Sequence, residues 1–225
     1  MIHFSGVTKI RQNRALLANL NLFLPRASYT WIKADADTAI ALQRLTMAYD
    51  KPDSGTLTVD GVSITDIPAT RIPFLRRRIG LVESHPVLFE NRTVKQNIEL
   101  PLQVAEFNTQ AITDRIEETL DCSGLSAIAD IQVQNLDESN RRLVACARAT
   151  VHRPAIVLVH EAVRTDNSAQ TAEEALLTTA HQHASSIIKF GEHQPLALPS
   201  TKSLSLTITQ GQLDNYGTSA AAHTY

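Results

Sequence analysis

A chain of 225 residues, 43% apolar and 20% charged, holds enough material for one large domain or two small ones. Its formal net charge of -2 and pI near 6.4 give no overall attraction to nucleic acid or to an acidic membrane surface, so no nucleic-acid partner is expected. Its two cysteines, Cys122 and Cys146, both lie in helical patterns, which argues against a disulfide framework and fits a reducing compartment.

The opening residues alternate like a strand and lack the apolar run of a signal peptide, and no stretch of about 18 apolar residues occurs. The expectation is a cytoplasmic chain, one compact unit with lobes, peripheral to a membrane only through a partner. Ile2, Phe4 and Val7 open a first strand, and Leu20, Leu22 and Leu24 alternate in a second that stops at Pro25. Tyr29–Lys33 has the aromatic and branched residues of a buried strand, and from Ala39 the apolar residues Ala39, Leu42, Leu45 and Tyr49 recur at helical spacing. Between them, Lys33-Ala34-Asp35-Ala36-Asp37-Thr38-Ala39-Ile40-Ala41 reads as a loop in the position of a phosphate-binding loop. Such a loop needs glycines so that amides wrap the phosphates, a lysine for their charge and a hydroxyl for magnesium. Almost none of that chemistry is present.

Pro52-Asp53-Ser54-Gly55 and Asp60-Gly61 read as turns around an alternating strand, together a small antiparallel sheet. Ile79–Val82 suits a buried parallel strand, and Arg76, Arg77 and Arg78 before it read as a solvated helix end with cations near the negative dipole terminus. Asn108 or Thr109 caps a helix with Ile112, Ile116 and Leu120 on one face and Gly124 as its stop. A second helix covers about residues 139–151, His152-Arg153-Pro154 breaks it, and an apolar strand follows at 155–159. Ser168 caps a further helix through Glu173, Leu176 and Leu177. Residues 187–190 are another strand, Leu204, Leu206 and Ile208 alternate up to Gly211, and 216–225 read as a frayed tail. Strands alternating with helices predict an α/β fold with a mainly parallel sheet covered on both faces and one helical insertion.

Three strings in this order resemble the nucleotide-binding subunit of ABC transporters. They are Pro73-Phe74-Leu75-Arg76-Arg77-Arg78-Ile79-Gly80, then Asn91-Arg92-Thr93-Val94 through Asn97 to Pro101-Leu102, then Ala147-Arg148-Ala149 with Pro154 and the strand ending at Glu161. Within that family the likeness is to the cell-division FtsE type, with LolD and MacB types next. The resemblance covers about residues 1–215 and implies a P-loop NTPase-like ABC ATPase core, an antiparallel β lobe and a helical lobe near 85–150. It further implies ATP held with magnesium between the phosphate loop of one subunit and the signature loop of another.

Position by position, the resemblance puts the phosphate lysine at Ala39 and the hydroxyl pair at Ile40 and Ala41. The adenine-stacking aromatic falls at Ile10 or Arg11, and Lys33 reads as an ordinary strand-end residue rather than a displaced phosphate lysine. His160 stands where a magnesium-shell Asp is expected, and a magnesium ion takes oxygen donors rather than imidazole. Glu161 survives in the place of the general base. Ser84 replaces the coupling glutamine, and the signature falls at Leu136-Asp137-Glu138-Ser139, where two carboxylates would face a triphosphate. The Asp loop falls at Thr165-Asp166-Asn167 and the switch histidine at Glu192 or His193.

Three functions compete. In the first, the chain is a pseudo-ATPase with no cofactor and Glu161 a relic, docking through Ser84, Val87, Leu88 and Phe89 onto an integral membrane subunit resembling FtsX. In the second it is a working ATPase, as a homodimer or beside an intact cassette. In the third the vacated site holds another ligand or a metal, but His160 with Glu161 is too few ligands and His181 and His183 face different ways on a helix, so no metal is expected.

Overall fold

The structure is a computed structural model that describes residues 1–161, 167–192 and 203–218. In chain order its first elements are β1 (Ile2–Arg11), β2 (Arg14–Leu24), β3 (Tyr29–Lys33), α1 (Ala36–Thr46), β4 (Ser54–Val59), β5 (Val62–Ser63), α2 (Ile72–Arg76) and β6 (Ile79–Val82). There follow α3 (Val94–Val104), α4 (Thr109–Ser123), α5 (Glu138–Thr150), β7 (Ile156–His160), α6 (Asn167–Gln182), β8 (Ser186–Gly191), β9 (Ser203–Thr209) and β10 (Gln212–Thr218). These elements form two compact units, Met1–Arg76 with Ser186–Tyr225, and Arg77–Ser185.

In the first unit, alternation of apolar and polar residues builds an antiparallel sheet of order β2-β1-β4-β5, as the turn residues predict. The β1–β2 turn places Gln12 and Asn13 at φ 49 and 60, and the β4–β5 turn places Asp60 and Gly61 at φ 48 and 84. Both are the mirror-image turns that match strand twist. β3 pairs parallel with β8 and with β9, setting Trp31 opposite Lys189 and Ser205, and β10 closes antiparallel onto β9. Residues 216–218, read as tail from the sequence, thus belong to a strand, because Tyr216, Gly217 and Thr218 continue the ladder opposite Leu206, Ser205 and Leu204. α1 ends at Thr46, which leaves Tyr49 outside the helix and half exposed. Arg76 does meet a negative helix end, but that of α1: its guanidinium donates to the Met47 and Ala48 carbonyls at 3.0 and 3.1 Å and lies 4.0 Å over the Tyr49 ring.

In the second unit, β6 and β7 run parallel in the register Ile79↔Ile156 to Val82↔Val159. α4 starts at the Asn108 cap and stops at Gly124 in the left-handed region, as its sequence predicts. α3 was legible only as a motif string, yet Thr93 and Gln96 cap it reciprocally at 3.2 and 3.0 Å and Val94, Asn97, Ile98 and Leu102 form its buried stripe. α6 begins at Asn167, one residue before the cap expected at Ser168.

Gly80 fixes how closely β6 and α5 approach, since a Cβ there would stand 2.1 Å from the Ala149 carbonyl oxygen. Gly80→Ala should therefore lower stability by roughly 3 kcal/mol, the upper end for overpacking. Gly124→Ala, at φ +70 with open space around it, should lose only about 1 kcal/mol from backbone strain. Urea unfolding of both variants checks the order; equal losses would contradict the packing argument.

Candidate functional site

The segment read as a phosphate loop is not a loop. β3 ends at Lys33, and after Ala34 the chain turns at Asp35 (φ -64, ψ 159) straight into α1, so Ala36 to Ala41 are helical. Without glycines, and with no positive φ among residues 28–47, successive amides cannot curl around an anion. The helix end is closed from within. Asp35 accepts the Thr38 amide at 3.1 Å and the Thr38 hydroxyl at 2.8 Å, which satisfies an amide that a bound phosphate would take. Arg14, at the start of β2, stands 3.9 Å from Asp35 and 3.4 Å from Asp37. Partial burial pushes the Asp35 carboxyl up, but the Thr38 hydrogen bonds and the Arg14 charge outweigh it and hold the group below its ordinary value.

Ala39 and Ala41 are buried in the helix and Ile40 is partly exposed; none carries a group for phosphate or metal. Ile10 and Arg11 are exposed at the end of β1, and Lys33 is an exposed strand end, as expected.

The second unit repeats the device. Leu136 leads into α5, and Asp137 caps it by accepting the Asn140 amide at 2.7 Å and its side-chain amide at 2.9 Å. Glu138 and Ser139 fill the first turn. Two strand ends of this unit, β6 and β7, meet one buried guanidinium. Arg142 donates to the Glu83 carbonyl at 2.8 Å and the His160 carbonyl at 2.7 Å, and pairs with buried Glu173 at 3.0 Å. Sequence reasoning missed this cluster and the two caps. An Asp ahead of a helical run was a visible signal for each cap; nothing in the pattern marked Arg142.

Glu161 is exposed just beyond β7 and Glu192 just beyond β8, whereas His193, Thr165 and Asp166 lie outside the described residues. Of the expected docking residues, Ser84 is half buried, and Val87 and Phe89 stand out at 78% and 54% exposure. Leu88 does not: it is buried within its own unit, as is Val94, because the chain alternates its side chains there and the helical lobe takes the inward one.

Asp35→Ala and Asp137→Ala should each destabilise the fold by about 1 kcal/mol, as for other lost caps, measured by urea unfolding. Burial and the Arg142 charge push His160 down to about 4, and burial, with Arg115, pushes His152 to about 4, against an ordinary 6.5. Both therefore bind protons more readily when unfolded, so their contribution is complete above about pH 6.5 and is lost as pH falls toward 4. Stability should drop by roughly 1–3 kcal/mol per histidine across that window, and His160→Asn should flatten the profile; an unchanged slope would refute the assignment.

Comparison with known proteins agrees with this layout. The family model described as ABC transporter matches residues 41–164. The methionine import ATP-binding protein MetN 2 of Paraburkholderia xenovorans is 33% identical over 198 residues, covering 85% of this chain and 51% of that protein. The cell division ATP-binding protein FtsE of Haemophilus influenzae is 33% identical over 164 residues, covering 72% of this chain and 75% of that protein. The chain spans about half the length of the methionine import relatives, and the likeness does not single out the cell-division type. Among solved structures, the ATP-binding cassette MJ0796, a dimer in a post-hydrolysis state with ADP and Pi, superposes with a TM-score of 0.84 at 20% identity, over 97% of this chain and 98% of that one. The cbiO1 protein from Clostridium perfringens gives 0.83 at 20% identity, over 96% and 88%. The α/β cassette fold expected from the sequence is thus the fold observed, and the chain belongs to the ABC transporter family, as an ATP-binding-cassette domain.

Proposed function

We propose that this domain is a pseudo-ATPase: a cassette that keeps its fold and its contact with an integral membrane subunit but no longer grips ATP. The observation that carries it is the pair of aspartate caps, Asp35 on α1 and Asp137 on α5, each accepting an amide at a helix end that the family turns toward phosphate. The absence of a lysine at Ala39, of a hydroxyl at Ile40 and of a carboxylate at His160 adds to it. Charge-assisted bonds to phosphate are worth about 1.5–3 kcal/mol each, so the lysine alone accounts for roughly tenfold to a hundredfold in affinity.

The membrane subunit resembles FtsX in this reading, and the domain sits at the inner face of the cell membrane through it. Exposed Val87 and Phe89 support a docking role for that segment. The similarity to methionine import proteins supports a transporter permease as an equal choice. The second reading, an ATP-hydrolysing subunit alone or beside an intact cassette, has in its favour that Glu161 is retained and that the relatives are ATP-binding proteins.

Titration calorimetry with ATP and magnesium should detect no binding at micromolar concentrations. Turnover by the pure chain that disappears in Glu161→Gln would decide for the second reading.

A further inference from the structure

Residues 83–90, which carry Val87 and Phe89, join no helix or strand, yet they are tethered at Glu83, Val87, Phe89 and Glu90. Arg142 donates to the Glu83 carbonyl at 2.8 Å and Arg148 to the Val87 carbonyl at 2.8 Å. Arg141 grips the Glu90 carboxylate through both terminal nitrogens, one of them at 2.8 Å, and holds that carboxyl below its ordinary value. All three arginines belong to α5. On the other side, buried Asn97 of α3 accepts the Phe89 amide at 2.9 Å and donates to the Phe89 carbonyl at 3.1 Å. The Glu90 carbonyl further accepts the Gln134 amide at 3.2 Å.

The Arg141–Glu90 pair lies at the surface, whereas Arg142 and Arg148 are better shielded. Arg142 is buried, and Arg148 is half buried, where desolvation disfavours its charge despite Glu83 nearby. A guanidinium withdrawn from water keeps its charge by holding its acceptors, so the main-chain carbonyls cannot drift without exposing a lost bond.

We infer that the arginine comb of α5, Arg141, Arg142 and Arg148, sets the shape of residues 83–90 without any nucleotide and presents Val87 and Phe89 in one fixed arrangement. The purpose assigned to that arrangement rests on the docking reading above; the comb itself is a property of the chain alone. A rigid segment binds without first losing conformational freedom, which is the advantage a docking surface would gain from it.

Amide hydrogen exchange on the full chain tests this. Arg148→Met keeps the apolar stem and removes one tether, and should speed exchange in peptides covering 83–90 by on the order of tenfold while β3 and α1 exchange as in wild type. Arg141→Gln, at a partly exposed position, should act on the same segment and decides the matter if Arg148→Met does not fold. Unchanged exchange at 83–90, or a rise shared by all peptides, overturns the inference. Adding ATP with magnesium to the wild type should leave 83–90 unaltered. Nucleotide-dependent protection there overturns the inference too, whereas nucleotide binding seen by calorimetry with exchange at 83–90 unaltered supports the comb and overturns only the pseudo-ATPase reading.

Discussion

An α-helix begins with amides that no turn of its own can satisfy, and whatever accepts them decides what else can bind there. In α1 and α5 the acceptor is an aspartate one residue ahead of the helix. This ligand is covalently attached and always present, so an external anion competes against it at every instant. Displacement would not end the conflict. The carboxylates of Asp35 and Asp37 would remain beside the incoming phosphate, and like charges about 4 Å apart repel by roughly 4 kcal/mol at an effective dielectric of about 20. That exceeds the gain from any one charge-assisted bond. Arg14 offsets part of it, but as an exposed side chain it contributes little.

Buried main-chain carbonyls at strand ends must find donors within the fold. In the second unit Arg142 does this for the Glu83 and His160 carbonyls together, with Glu173 balancing its charge. Such a buried pair is not a large source of stability compared with an apolar pair of the same size. It is costly to break, however, by about 3–5 kcal/mol when one partner is removed. Its effect is therefore on geometry: β6, β7, α5 and α6 are held in one arrangement by a single side chain. The close approach at Gly80 works in the same direction, allowing no slack between β6 and α5.

Much of this was legible in the residues. Strands with clean alternation, such as β2 and β9, and helices with a marked cap and stop, such as α4, appear where their periodicity places them. The losses came where tertiary contacts outweigh local pattern. Residues 216–218 read as tail, yet pairing with β9 makes them the end of β10. α3 contains Pro101 and buries the polar Asn97, which hides its helical stripe. At the site, the missing lysine and glycines were plain from the sequence, but the shape of what replaced them was not. The apolar spacing that starts at Ala39 suggested a loop at residues 33–41, whereas Asp35 caps a helix that already begins at Ala36.

Asn97 also shows why residues 83–90 differ from an ordinary surface loop. Isolated exposed apolar residues are common and carry no meaning by themselves. A buried Asn is different: its amide must find partners, and here it finds them in the Phe89 backbone on both sides. The same contacts that relieve the buried amide turn Leu88 into the unit's core and leave Val87 and Phe89 outside. Exposure of these two side chains is thus a consequence of how the interior is satisfied, and it persists as long as α3 and α5 keep their places. Every contact in that chain of causes is made by the protein's own residues.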